Sequence, residues 1–195
     1  MKEDTKKKIL DVAQELAERH GFWSFKVDDI LQYTHISRAT FYKYFRSRED
    51  VLFMLFDDEL DRIESTIRTA LSEESGSHNR LKAFMTLEIA GMKELFNTLN
   101  IRIGEIDISP AIPRQRIEKK NERDLRIIRD ILSEGKREGS LVFEDLDLTA
   151  RAVMGINREI GLKAVMENKD TETIKREISV MLGALIFGIS SGERK

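Results

Sequence analysis

The sequence has no cysteine, only two prolines and eleven glycines, and each scarcity excludes a class of protein. Without cysteine there is neither a disulfide framework nor a thiolate metal site. The three histidines are scattered, without the spacing of metal ligands, so no metal, cofactor or catalytic residue is predicted. The low proline and glycine content favours long helices over sheet or disorder.

Long hydrophobic runs are also missing, both at the lysine-rich N-terminus and elsewhere in the chain. We therefore expect a soluble, cytoplasmic protein that makes no membrane contact. The formal net charge of -2 means that the molecule as a whole is no polycation, so any nucleic-acid binding must depend on local charge. A length of 195 residues suffices for one sizeable core and a small additional module.

Such a local charge lies between Ser37 and Arg48, where four residues are basic and none is acidic. The surrounding residues 27–51 are typical of two short helices joined by a tight turn, followed by a third helix. Ser37 is placed to cap the second short helix, and Phe41 and Phe45, one helical turn apart, are expected to face inward. This pattern indicates a helix-turn-helix whose second helix enters the major groove of DNA.

The rest of the chain shows the 3.6-residue periodicity of amphipathic helices. We predict an all-α fold of about nine helices, with an N-terminal three-helix helix-turn-helix domain (residues 1–50) and a larger C-terminal helical domain (51–195). The last predicted helix, 171–189, is apolar around much of its circumference. A helix of that kind at a chain end is expected to bury a second face against a partner.

The run from Gly21 to Val51 resembles the DNA-binding domain of the TetR family, the tetracycline-repressor-like bacterial regulators. The match is carried by Val27–Ile30, by Ile36–Phe45 and by Arg46–Val51. It implies a dimer that binds a palindromic operator in double-stranded DNA and is released by an unidentified small-molecule effector. The sequence departs from the family pattern at the turn glycine, which is His35, at Phe25-Lys26, where a threonine often opens the second helix, and at Leu31.

Carried over by position, Tyr42 and Arg48 are expected to grip phosphate, while Arg38, Lys43 and Tyr44 are expected to reach base edges. The predicted DNA-binding set is Lys26, Ser37, Arg38, Ala39, Thr40, Tyr42, Lys43, Tyr44 and Arg48.

The resemblance also places a ligand pocket among the fourth to seventh helices and a dimer interface on the last two. Glu88 stands out because it interrupts an inward-facing apolar stripe, where a carboxylate must be paired, protonated or bound to ligand. Arg102 or an arginine of the seventh helix is a candidate partner for it. The predicted pocket residues are Phe53, Met54, Phe56, Phe84, Met85, Glu88, Met92 and Phe96. The predicted interface residues are Ile156, Ile160, Ile178, Met181, Leu182, Leu185 and Ile189.

Three functional hypotheses follow. The first is a repressor released from its operator by a largely hydrophobic effector. The second is a regulator of the same family that has no small-molecule effector, or that activates transcription. The third is a helical enzyme with a structural N-terminal module, which the sequence disfavours because His78 is the only histidine beyond residue 50 and no cysteine is present.

Overall fold

The computed structural model describes residues 2–101 and 114–187, with the side chains of residues 2, 3, 114, 186 and 187 left aside. Within these ranges the chain forms eight α-helices and no strand, which confirms the all-α prediction. Residues 102–113, predicted to be irregular, lie outside the described residues. The helices are α1 (Lys2–His20), α2 (Val27–Thr34), α3 (Arg38–Phe41), α4 (Arg48–Glu73), α5 (Ser77–Thr98), α6 (Arg114–Arg137), α7 (Leu146–Met166) and α8 (Thr171–Phe187).

The described residues form two compact units, and the division falls within α4 and within α5. Unit 1 holds residues 2–62 and 94–101, and unit 2 holds residues 63–93 and 114–187. Each unit thus contains two separate segments of chain. The predicted functional domains, 1–50 and 51–195, are continuous segments and remain a prediction.

Unit 1 is built around aromatic side chains that α1, α2 and α3 bury together. α1 ends where Gly21 adopts a φ of 97°, a conformation that favours glycine, and the Gly21 amide donates to the Ala17 carbonyl at 2.8 Å. Trp23 is half-buried and lies edge-on to Phe22, with ring centroids 4.7 Å apart. The fully buried large side chains of this unit are Ile9, Phe22, Phe25, Ile30, Phe41 and Leu52.

Unit 2 packs α6, α7 and α8 with the parts of α4 and α5 that lie beyond the division. Gly91 permits close helix contact, because a Cβ there would lie 2.7 Å from Ile63 Cγ1. Gly135 does the same for Ser77 at the start of α5, with 2.7 Å between the added Cβ and Ser77 Cβ. The core includes Ile67, Leu81, Phe84, Met85, Ile89, Ile128, Val153, Ile160, Ile178 and Leu182.

Candidate nucleic-acid interface and effector domain

The turn between α2 and α3 depends on one residue in the left-handed region. His35 has φ 54° and ψ 32°, which confirms that it adopts the conformation for which glycine would be the usual choice. The turn is held from inside, because the buried Thr34 hydroxyl donates to the Ile30 carbonyl at 2.6 Å. α2 itself begins with the Lys26 amide donating to Asp29 Oδ2 at 2.7 Å.

α3 opens on Ser37, as predicted. The Ser37 Oγ accepts from the Thr40 amide at 3.1 Å and lies 2.8 Å from the Thr40 hydroxyl. The α-helix is shorter than expected, since it ends at Phe41. The backbone then tightens into i→i−3 bonds, with the Tyr44 amide donating to the Phe41 carbonyl at 2.9 Å.

The side chains of this segment divide into an inner and an outer set. Phe41 is 0% and Phe45 is 4% exposed, which confirms that both face inward. Tyr42 is 49% exposed and Tyr44 is half-buried. The predicted DNA-binding residues that lie exposed are Lys26, Ser37, Arg38, Ala39, Tyr42 and Lys43, and those half-buried are Thr40, Tyr44 and Arg48.

Arg38 has an acidic neighbour that the sequence reasoning missed. Its Nη2 donates to Asp28 Oδ1 on α2, and the two side chains remain 58% and 69% exposed. An exposed pair of this kind contributes little to stability. Its position matters more, because it places a negative charge beside a candidate reader of base edges. The signal was present in the acidic pair Asp28-Asp29, of which only Asp29 is used in capping α2.

Arg48 makes contacts within unit 1 that the sequence did not indicate. Its Nη1 donates to the carbonyl oxygens of Trp23 at 2.9 Å and Phe25 at 3.0 Å. Its Nη2 lies 2.9 Å from Glu49 Oε1, and the side chain is 26% exposed. Arg48 therefore fixes the loop between α1 and α2 to the start of α4. Its phosphate contact remains a prediction.

Glu88 in unit 2 is buried and paired. Its Oε1 accepts from Lys120 Nζ of α6 at 2.5 Å, and its Oε2 accepts from Asn157 Nδ2 of α7 at 2.7 Å. Lys120 also donates to Asp124 Oδ2 at 2.6 Å. The partner is a lysine of α6 rather than either of the arginines that the sequence suggested. Arg102, the other suggested partner, lies outside the described residues. We call Glu88, Lys120, Asp124 and Asn157 the buried polar cluster.

Burial and neighbouring charge perturb two pKa values in this cluster. Burial raises the pKa of Asp124 from 3.8 to about 6, because it outweighs the attraction of Lys120 and because Glu88 adds repulsion. Burial by itself would lower the pKa of Lys120, but the Glu88 and Asp124 carboxylates raise it above its ordinary value. Lys120 therefore stays protonated at neutral pH. Asp124 is the member of the cluster whose pKa, about 6, lies near neutral pH.

The predicted pocket residues fall in both units. In unit 1, Phe56 and Phe96 are buried, while Phe53 and Met54 are half-buried; in unit 2, Phe84 and Met85 are fully buried and Met92 is half-buried. The pocket as a whole remains a prediction. A cavity of about 220 Å³ in unit 1 contains none of these residues. It is lined by Lys7, Leu10, Asp11, Gln14, Leu55, Asp58, Glu59 and Leu99.

The predicted dimer interface includes residues that this chain already buries by itself. Ile160, Ile178 and Leu182 are at most 1% exposed, so they belong to the core of unit 2 and cannot present a surface to a second chain in this conformation. Ile156 is half-buried, Met181 and Leu185 are more than a third exposed, and Ile189 lies outside the described residues. The large apolar side chains that α7 and α8 leave exposed are Leu148, Leu162, Met166, Val180, Met181 and Leu185.

Residues 2–101 and 114–187 contain no group of histidine and acidic side chains arranged to hold a metal ion. No helix in the same ranges has the length and apolar character needed to cross a bilayer.

Two helices joined by a tight turn, with the exposed basic side chains Arg38 on the second helix and Lys43 just after it, have the arrangement of a helix-turn-helix. The family description "Bacterial regulatory proteins, tetR family" matches residues 9–55, which extend from α1 into α4. The matched part of the chain, residues 9–55, belongs to this family of bacterial regulatory proteins.

Individual relatives show how far this similarity extends. The fatty acid metabolism regulator protein of Bacillus subtilis (strain 168) is 25% identical over 183 residues, 93% of each chain. The transcriptional regulator EthR of Mycolicibacterium smegmatis is 41% identical over 69 residues, 35% of this chain and 32% of its own length.

Solved structures show the same fold over nearly the whole chain. A TetR transcription regulator from Haloarcula marismortui has a TM-score of 0.75 at 20% identity, covering 94% of this chain and 99% of its own. FadR of Bacillus subtilis, in complex with stearoyl-CoA, has a TM-score of 0.71 at 22% identity, covering 94% and 98%.

Proposed function

We propose that this protein is a dimeric repressor that binds a palindromic operator through α3 and leaves it when a long-chain acyl thioester binds unit 2. The exposed basic surface of α3, next to a turn held by Thr34 and His35, is the observation that carries the DNA-binding half of this proposal. Two such surfaces related by a dyad read major grooves ~34–36 Å apart.

The dimer is supported by the apolar surface of the last two helices. α8 packs one side into the unit 2 core through Ile178 and Leu182, while Val180, at 65% exposed, and Met181 lie on another side. Met166 of α7 is 69% exposed. Exposed apolar side chains on these two helices support a protein interface here, and a second copy of the chain would supply a complementary, self-matching surface.

The acyl thioester is supported by the relatives and by the composition of unit 2. The Bacillus subtilis relative that aligns with 93% of the chain is named a fatty acid metabolism regulator, and the FadR structure of the same fold holds stearoyl-CoA. In unit 2, Phe84, Met85 and Met92 supply the apolar and pliable side chains that suit an alkyl chain.

The test is a fluorescence anisotropy titration of the protein on the DNA that flanks its own gene, with a scrambled duplex as control. Stearoyl-CoA, coenzyme A alone and stearate are then added to the preformed complex. We expect preferential binding to the flanking DNA and release by stearoyl-CoA at concentrations where coenzyme A alone has no effect. An effector shifts the equilibrium only if it binds the DNA-incompetent state more tightly.

Each failure of this experiment points to a different alternative. Binding to the flanking DNA that none of the three compounds changes supports a regulator without a small-molecule effector of this class. Equal binding to both duplexes contradicts sequence-specific regulation. The enzyme hypothesis would require turnover of a metabolite that survives removal of the helix-turn-helix, and the relatives found are regulators.

A further inference from the structure

The buried polar cluster contains one hydrogen-bond acceptor that the fold does not use. Asn157 is 7% exposed, and its Oδ1 has no hydrogen-bond partner among the described residues. The side chain lies on the inner stripe of α7, between Val153 and Ile160, which are both 1% exposed. A buried carbonyl oxygen without a donor is costly, so it calls for a donor from outside the fold.

The orientation of the Asn157 amide is fixed by its neighbour. Because the Glu88 carboxylate can only accept, the Asn157 nitrogen must face it, at 2.7 Å from Oε2. Exchanging the two amide atoms would set an oxygen against a carboxylate. The oxygen that points away from Glu88 is therefore an acceptor, and both Glu88 oxygens are already engaged by Asn157 and Lys120.

The charge of the cluster restricts what can approach this oxygen. The cluster sets two carboxylates, Glu88 and Asp124, against one ammonium, Lys120, and the nearby Arg123 guanidinium is paired with Glu64, so one negative charge remains uncompensated. In a buried setting this charge repels an anion and favours a neutral or positive donor. A free fatty-acid carboxylate is thus unsuited to this position, whereas an amide N–H or a hydroxyl suits it.

We propose that Asn157 Oδ1 is the polar recognition point of the effector site and that it accepts a hydrogen bond from a neutral donor next to the alkyl chain of the effector. This inference rests on the proposed function, which supplies the alkyl chain. In this inference Asn157, and not Glu88, contacts the polar group of the effector, while Glu88 and Lys120 are positioning residues. Acyl thioesters of coenzyme A meet this requirement for a neutral donor, because their thiol arm carries amide N–H groups near the thioester.

The test compares three probes that share one alkyl chain and differ in the head group: dodecanamide, methyl dodecanoate and dodecanoate. Binding to the full-length protein is measured by isothermal titration calorimetry at pH 8, where Asp124 is ionised. We expect the amide to bind about tenfold more tightly than the ester, the value of one hydrogen bond to a buried acceptor, and dodecanoate to bind more weakly than the amide.

Asn157→Leu removes the acceptor and is expected to reduce the amide-to-ester ratio to about one. Asn79→Leu is the control, because Asn79 is exposed and its side chain bonds only to the Ser75 carbonyl among the described residues. If Asn157→Leu does not fold, Asn157→Ser, which keeps a small polar side chain but lacks the amide oxygen, is expected to reduce the ratio as well.

The outcomes separate this inference from the function on which it rests. A wild-type ratio near one, or a ratio that both Asn157 variants leave unchanged, overturns the role of Asn157 while binding of the alkyl chain stands. Binding of none of the three probes, together with unchanged DNA binding in stearoyl-CoA, overturns the inference and the acyl effector together.

Discussion

Asp124 should make the protein less stable as the pH rises from 5 to 8. Its pKa is about 6 in the folded state against 3.8 for an ordinary aspartate. Below both pKa values the carboxyl is protonated in the folded and the unfolded chain, and it adds nothing to the pH dependence of the free energy of unfolding. Above both values the folded chain holds a buried carboxylate that the unfolded chain would expose to water. The cost grows through this window and reaches about 3 kcal/mol, of which about 1 to 2 kcal/mol develops between pH 5 and 8.

The perturbation that isolates this effect is Asp124→Asn, which cannot ionise and still offers Lys120 an acceptor. Lys120 is protonated throughout this range and adds no pH dependence of its own. The free energy of unfolding in urea, followed by circular dichroism at fixed protein concentration, should fall for the wild type relative to Asp124→Asn by about 1 to 2 kcal/mol from pH 5 to pH 8. Asp130→Asn, an exposed position on the same helix, is the control and should follow the wild type.

A difference between wild type and Asp124→Asn that is flat with pH would refute this reasoning. A difference of the opposite sign would show that the attraction of Lys120 outweighs burial, and Asp124 would then be an ordinary ion-pair member.

Three further predictions concern the surfaces. Arg48→Ala, which removes bonds to the Trp23 and Phe25 backbone carbonyls, should lower the free energy of unfolding by about 2 kcal/mol, measured in urea. If Arg48 also grips phosphate, the slope of log K against log salt should fall by about 1 in anisotropy titrations of the folded variant. Asp28→Asn should change stability by less than about 1 kcal/mol but strengthen binding to scrambled DNA, because it removes a negative charge beside Arg38. Val180→Glu should shift the protein to monomer in analytical ultracentrifugation, and an unchanged sedimentation coefficient would exclude this face as the interface.

Periodicity in the sequence was enough to predict the helices, because apolar spacing along a helix is a local property. The inward Phe41 and Phe45 were predicted for the same reason, whereas the left-handed His35 was expected because it stands at the turn glycine of the family pattern. Contacts between distant segments were not predictable in this way. The bonds from Arg48 to the loop carbonyls depend on how segments far apart in the chain pack together. The same holds for the bond to Glu88, which comes from Lys120 rather than from an arginine.

The interface residues show a second limit of sequence reasoning. Hydropathy marks Ile178, Leu182 and Met181 alike, yet the first two are buried within the chain and only the third is exposed. An apolar helix that packs two faces gives no sequence signal for which face stays inside. Asn157 escaped notice because a lone asparagine in a helix becomes informative only when its partners are known.

The most direct test of the account is the effect of Arg38→Ala on operator selectivity. Anisotropy titrations of wild type and variant, on the palindrome flanking the gene and on a scrambled duplex, give the ratio of the two affinities at one salt concentration. We expect the variant to lose about 1 to 3 kcal/mol on the palindrome and much less on the scrambled duplex, so that the ratio falls about fivefold to a hundredfold. An unchanged ratio, or a wild type that does not distinguish the two duplexes, would contradict sequence reading by α3.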